Sequence, residues 1–192
     1  MKRKAIIGIS LFYSIICLIL AIVLFINGTQ NLGLVALSGI ALGLFPIGIM
    51  IFTKFELGLP LICFYILFLF GSQILGSIAN FYQHFVWWDL LLHFISGILL
   101  ACLAIDLYKK LLPKDTVYEL STWFIFIFIF SFSIMGGVLW EIYEYLADVL
   151  FDMNLQHGNA DTMSDLITDG AGGLVVAIWV LFRSRKNRVA DV

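Results

Sequence analysis

The chain has 192 residues, of which 62% are hydrophobic and only 12% charged, and its net charge is −2. Soluble domains are roughly 45–50% apolar and about 25% charged, so this composition, with a mean hydropathy of +1.04, excludes a water-soluble globule. The expected partner is the lipid bilayer, with no nucleic acid; the net charge is uninformative as a sum, and its distribution along the chain is the useful quantity.

In hydrocarbon only internal hydrogen bonding satisfies the backbone, so an apolar run of roughly 20 residues reads as a spanning helix. On that basis the spans are expected over about 5–26, 32–52, 58–80, 87–107, 120–150 and 163–182. The first follows Met1-Lys2-Arg3-Lys4; its apolar stretch is too long for a secretion signal and lacks a small-x-small cleavage site, so an uncleaved helix is expected. Gly39-x-x-x-Gly43 in the second span, and Gly170, Gly172 and Gly173 in the sixth, permit close helix contact. In the fifth span Phe124 to Phe130 alternate like a strand, but a run this long is read as helix. That span exceeds the bilayer thickness and must tilt, bend or project, with Gly136-Gly137 the expected bend. Cys17, Cys63 and Cys102 lie inside apolar runs and read as small buried hydrophobes. The fold class is therefore all-α: a polytopic membrane helix bundle of about six transmembrane helices, taken as one integral membrane domain over 1–192.

Orientation follows from the basic residues. Lys2, Arg3 and Lys4 precede the first span, Lys54 lies between the second and third, Lys109, Lys110 and Lys114 follow the fourth, and Arg183, Arg185, Lys186 and Arg188 follow the sixth. These are all 11 Lys and Arg residues, and six spans put every one on the same side. Positive loops stay cytoplasmic, so both termini are expected inside a bacterial plasma (inner) membrane. The opposite loops, around 27–31, 81–86 and 151–162, contain no Lys or Arg.

The acidic residues are arranged in the opposite sense. Asp89, Glu141, Glu144, Asp148, Asp152, Asp161, Asp165 and Asp169, with His84, His93 and His157, map near the non-cytoplasmic ends of spans four to six. Asp89 and His93 are spaced i, i+4; Glu141, Glu144, Asp148 and Asp152 share a face if span five stays helical; Asp161, Asp165 and Asp169 repeat every four residues. Two carboxylates ~6 Å apart repel by roughly 3 kcal/mol at an effective dielectric of 20. With no Lys or Arg on that side, either some of them hold protons or a cation compensates them. Carboxylates with an imidazole suit a divalent metal ion such as Mg, Mn, Fe or Ca, and Asp89, His93, Glu141, Glu144, Asp161 and Asp165 are the candidate ligands. Asp148 and Asp152 read as solvated, His84 and His157 as interfacial loop residues, and Trp87, Trp88, Trp140, Tyr143 and Tyr145 as an aromatic belt.

The segments Trp88-Asp89-x-x-x-His93-Phe94-x-x-Gly97, Glu141-x-x-Glu144 and Asp161-Thr162-x-x-Asp165, the last followed by a Gly-rich helix, resemble the YjdF-like family of uncharacterised bacterial inner-membrane proteins. The resemblance covers roughly residues 85–175, with the motifs in the family's order; Asp169 lies outside the pattern. It implies a membrane location, a helix bundle and joint importance of these positions, and carries no activity with it.

Several chemistries lack their residues. There is no H-E-x-x-H motif, no Glu-x-x-His pair of the di-iron type and no Gly-x-Ser-x-Gly elbow. Phosphate-handling sites present Arg or Lys to the anion, and none is available on that side. A metal-dependent hydrolase of a lipid or lipid-linked substrate remains, with metal-bound water as nucleophile. The alternatives are a cation or proton transporter, for which Ser10, Ser14, Ser38 and Gln73 offer polar steps, or a non-catalytic subunit docking a partner.

Overall fold

A computed structural model describes residues 2–53, 55, 57–153 and 155–190; Lys54, one of the orientation markers, lies outside them. Among the described residues all regular structure is helical. The helices are α1 (Lys2–Ile26), α2 (Gln30–Phe52), α3 (Leu59–Leu69), continued by a π-helical segment (Phe70–Ile78), α4 (Phe81–His84), α5 (Trp88–Leu111), α6 (Lys114–Glu119), α7 (Thr122–Phe151) and α8 (Asn159–Ala190). Six stretches are long and apolar enough to cross a membrane: Lys2–Ile26, Gln30–Phe52, Leu59–Ile78, Trp88–Leu111, Thr122–Leu150 and Asn159–Arg183. They fall on the six expected spans, and the polytopic all-helical class stands.

The chain divides into two compact units, residues 1–89 and 90–192. The division falls in the first turn of α5, so Asp89 is described with the helix that carries it.

In the first unit, α1 turns into α2 through Gly28, whose φ of 77° is open to glycine at no cost. Burial of Tyr13, Cys17 and Leu69 fixes the packing of α1 and α3. The π-helical segment carries Gln73, whose amide would be costly to leave unbonded in an apolar bundle. Tyr13 Oη donates to Gln73 Oε1 at 3.0 Å, and Gln73 Nε2 donates to Ser38 Oγ at 3.2 Å. Ser14 Oγ donates to the Ser10 carbonyl at 2.9 Å. Of the polar residues that looked like steps of a path, Gln73, Ser38 and Ser14 thus bond to side chains or backbone, tying the helices together, while the buried Ser10 hydroxyl meets no hydrogen-bond partner. Gly39 makes room for this tie: a Cβ there would meet Gln73 Oε1 at 2.6 Å and Cys17 Sγ at 2.7 Å. Gly39→Val is expected to destabilise the protein by about 1–3 kcal/mol through overpacking, read as a lower unfolding midpoint in detergent.

In the second unit, Ser121 caps α7 by accepting from the Phe124 backbone N–H at 3.2 Å. The strand-like Phe alternation is helical, and the helical period explains it: Phe124 stacks on Phe128 and Phe126 on Phe130, each pair one turn apart. Gly136 and Gly137 lie within an unbroken α7, where they serve close approach, Gly136 to Leu100 and Gly137 to the Asp169 carboxyl. The far half of this unit is an apolar core that includes Ala101, Ala104, Ile125, Ile129, Ala177 and Val180.

Many large apolar side chains face outward, such as Phe12 on α1, Ile127 on α7 and Phe182 on α8. In water this would drive aggregation; in a bilayer it is the lipid-facing surface.

Candidate functional site

The site lies on the N-terminal halves of α5 and α8 and on the later part of α7. His93 sits five residues into α5, or about 7 Å from its start at 1.5 Å per residue. Asp165 and Asp169 lie one turn apart on α8, beyond its first turn. All are buried: His93 is 7% exposed, Glu141 5%, and Asp165 and Asp169 1% each. Ionisable groups this deep in apolar helices are costly and are retained where they act.

His93 organises the cluster. Its Nδ1 lies 3.0 Å from Asp169 Oδ2. An ionised carboxylate only accepts, so opposite an ionised Asp169 it is Nδ1 that carries a proton. Nε2 faces Asp165 Oδ1 at 3.9 Å, too far for a hydrogen bond. Asp169 Oδ2 is engaged by His93, and Oδ1 lies against the Ser96 hydroxyl, whose single proton is shared between that oxygen and the His93 carbonyl at 2.8 Å. Ser133 Oγ on α7 donates to the Gly97 carbonyl at 3.0 Å and reaches the Asp169 carbonyl at 3.5 Å, joining the three helices at this level.

Asp89, His93 and Asp165 each offer one ligand atom, and these atoms lie within 4.8 Å of one another. Donors 2.1–2.4 Å from a single ion stand roughly 3–4.5 Å apart, so this group needs little adjustment to enclose a cation. A histidine that donates its other ring N–H to a carboxylate is the usual form of an imidazole ligand, because the carboxylate fixes tautomer and ring orientation.

The other three sequence candidates are placed differently. Glu141 is buried beside the group; neither carboxylate oxygen meets the geometry of a hydrogen bond, although the Thr162 hydroxyl, His93, Asp169 and Asp161 all act on its charge. Glu144 accepts from Trp140 Nε1 at 2.9 Å, one turn back on α7, and is not brought into the Asp89, His93 and Asp165 group. Asp161, on the first turn of α8, is about one-third exposed and lies 3.5 Å from His157 Nδ1.

Two residues have roles that the sequence did not assign. Asp169, outside the motif pattern, is the direct partner of His93. Asp148, expected to be merely solvated, accepts from the backbone N–H groups of Leu155 at 2.6 Å and Gln156 at 2.9 Å, which clasps the α7–α8 connection. Gln156 Nε2 in turn donates to Thr162 Oγ1 at 3.1 Å. The i, i+4 repeat of Asp161, Asp165 and Asp169 was the available signal for Asp169; nothing in the local sequence marks Asp148. Asp152 is exposed, as expected, and ends α7 in the left-handed region with φ 55°.

Comparison with known proteins agrees with the membrane architecture and names no activity. An uncharacterized protein of Thermotoga maritima is 32% identical to this chain over 120 residues, a stretch that makes up 62% of this chain and 60% of that protein. The chain thus spans less than two-thirds of that relative's length. No solved structure matches. A family model described as predicted membrane protein (DUF2238) matches residues 9–186, nearly the whole sequence and all of the site, and the chain belongs to that family.

Proposed function

We propose that this chain is a metal-dependent membrane hydrolase, in which His93, Asp165 and Asp89 hold a divalent cation and the substrate is a lipid or lipid-linked molecule. One observation carries the reading: Asp89, His93 and Asp165 each bring one ligand atom within 4.8 Å of one another, and Asp169 orients the imidazole through Nδ1. A bound divalent cation supplies Lewis acidity and lowers the pKa of water. The chain's own groups hold it, and Asp169 and Ser96 fix the imidazole.

Chemistry is favoured over transport by the apolar core that includes Ala101, Ile129 and Ala177, which lies between the site and the far ends of α5, α7 and α8. Segregation of the basic residues supports a bacterial inner-membrane protein with both termini cytoplasmic and the site on the opposite face. The motifs around Asp89, Glu141 and Asp161 support a place in the YjdF-like group.

The test is elemental analysis of protein purified without chelator, with isothermal titration by Mn2+. Wild type is expected to retain at least one divalent ion per chain. Asp169→Asn is expected to bind it about 10–100-fold more weakly, the usual cost of losing the partner that orients a ligand histidine. Wild type without any ion sinks the reading. Vesicles containing the protein and a Mn2+-quenched dye inside are expected to show no influx; quenching would overturn the reading in favour of transport.

A further inference from the structure

Glu141 is the group that a single ion at Asp89, His93 and Asp165 leaves unexplained. It is 5% exposed, and neither oxygen meets the geometry of a hydrogen bond, so its charge is desolvated, with only the Thr162 hydroxyl and the His93 ring acting in its favour. The nearest described cationic side chains on these helices are remote. Lys109 lies 16 residues along α5 from His93, or about 24 Å, and Arg183 lies 18 residues along α8 from Asp165, or about 27 Å. Asp89, Glu141, Asp165 and Asp169 together carry four negative charges when ionised. One divalent ion offsets two of them, and a neutral imidazole offsets none. A buried charge left uncompensated is among the most expensive features a fold can carry.

We propose that the site is binuclear, with a second divalent cation bound against Glu141 and completed by Asp161 and the Thr162 hydroxyl. This rests on the mononuclear reading above. Thr162 is suited to the role: its oxygen is held by Gln156 Nε2, which Asp148 fixes through the backbone of the α7–α8 connection. Asp161 is one residue away on the same turn and already acts on the Glu141 charge. Oxygen-only donors of this kind favour a hard cation such as Mg2+ or Mn2+. Two such cations supply the positive charge that an anionic substrate would otherwise need from the Lys and Arg residues that this face lacks.

The experiment counts ions. Purified full-length protein is loaded with Mn2+, and stoichiometry is read by titration and elemental analysis, with electron paramagnetic resonance to detect spin coupling between paired Mn2+ ions. Two equivalents and a coupled spectrum are expected in wild type, and one equivalent with an uncoupled spectrum in Glu141→Gln. Glu141→Asp, which keeps the charge, is expected to retain two, the second at least tenfold weaker. One equivalent in both wild type and Glu141→Gln overturns the binuclear site while leaving the first ion standing. Two equivalents in both overturn Glu141 as the anchor. None in Glu141→Gln with helix content preserved assigns Glu141 to the first ion and also overturns it. None in wild type is failure of the mononuclear reading itself.

Discussion

His93→Ala is expected to lose the bound divalent ion at micromolar concentrations, while His93→Asn loses the ion but keeps the packing around it. The difference separates the two ends of the imidazole. Nδ1 serves the protein: it bonds Asp169 at 3.0 Å, and Asp169 is bonded in turn by Ser96. Nε2 faces Asp165 and, on the proposed reading, serves the ion. An asparagine amide places its N–H close to where Nδ1 stands and has nothing at the Nε2 position, so it can bond Asp169 without ligating an ion. Alanine removes both. It leaves Asp165 and Asp169 buried one turn apart on α8, where two carboxylates ~6 Å apart repel by roughly 3 kcal/mol at an effective dielectric of 20.

Alanine is therefore expected to lower the unfolding midpoint in detergent as well as abolish metal binding, whereas asparagine is expected to unfold close to wild type. Circular dichroism with Mn2+ titration distinguishes them. Retention of the ion by His93→Asn at wild-type affinity would show that Nε2 is not a ligand, and the group of Asp89, His93 and Asp165 would then need another explanation.

The fold was legible because lipid imposes one strong rule: apolar runs must be helical. Even Phe124 to Phe130, which alternate with a period of two, obey it, since i, i+4 rings stack on the helix. The π-helical segment was not legible, because its register depends on how Gln73 reaches both Tyr13 and Ser38, contacts 60 and 35 residues apart in sequence. At the site, helical spacing brought out His93 with Asp89, and Asp165 with Asp169. Spacing alone did not rank them. Glu144 has the same i, i+3 relation to Glu141 that marks a shared face, yet it turns to the Trp140 indole. A difference of one or two residues in helical phase decides whether a carboxylate points inward, and that phase is set by packing across helices. The role of Asp148 depends on the path of the α7–α8 connection, which contains left-handed residues at Asp152, His157 and Gly158 and no regular pattern from which to read it.

Packing across helices also sets the largest expected stability effect. Gly97→Ala and Gly172→Ala each add one methyl group, yet each is expected to destabilise the protein by at least about 1–3 kcal/mol and to disturb the site. A Cβ on Gly97 of α5 would collide with the backbone carbonyl of Asp169 on α8, and one on Gly172 of α8 would collide with the carbonyl of Phe94 on α5. Neither obstacle is the end of a flexible side chain. The helices themselves must separate, and with them go the bonds from His93 and Ser96 to Asp169. These two glycines are thus what allows a histidine on one helix and an aspartate on the next to meet at hydrogen-bond distance. Gly8→Ala on α1 is the control: nothing lies within 4 Å of the added Cβ, so higher helix propensity should leave stability unchanged or raise it by up to about 1 kcal/mol. Thermal unfolding in detergent and Mn2+ titration of the three variants read both effects. Gly97→Ala that unfolds and binds Mn2+ like wild type would mean that α5 and α8 are not in backbone contact, and the orientation of His93 would have to come from elsewhere.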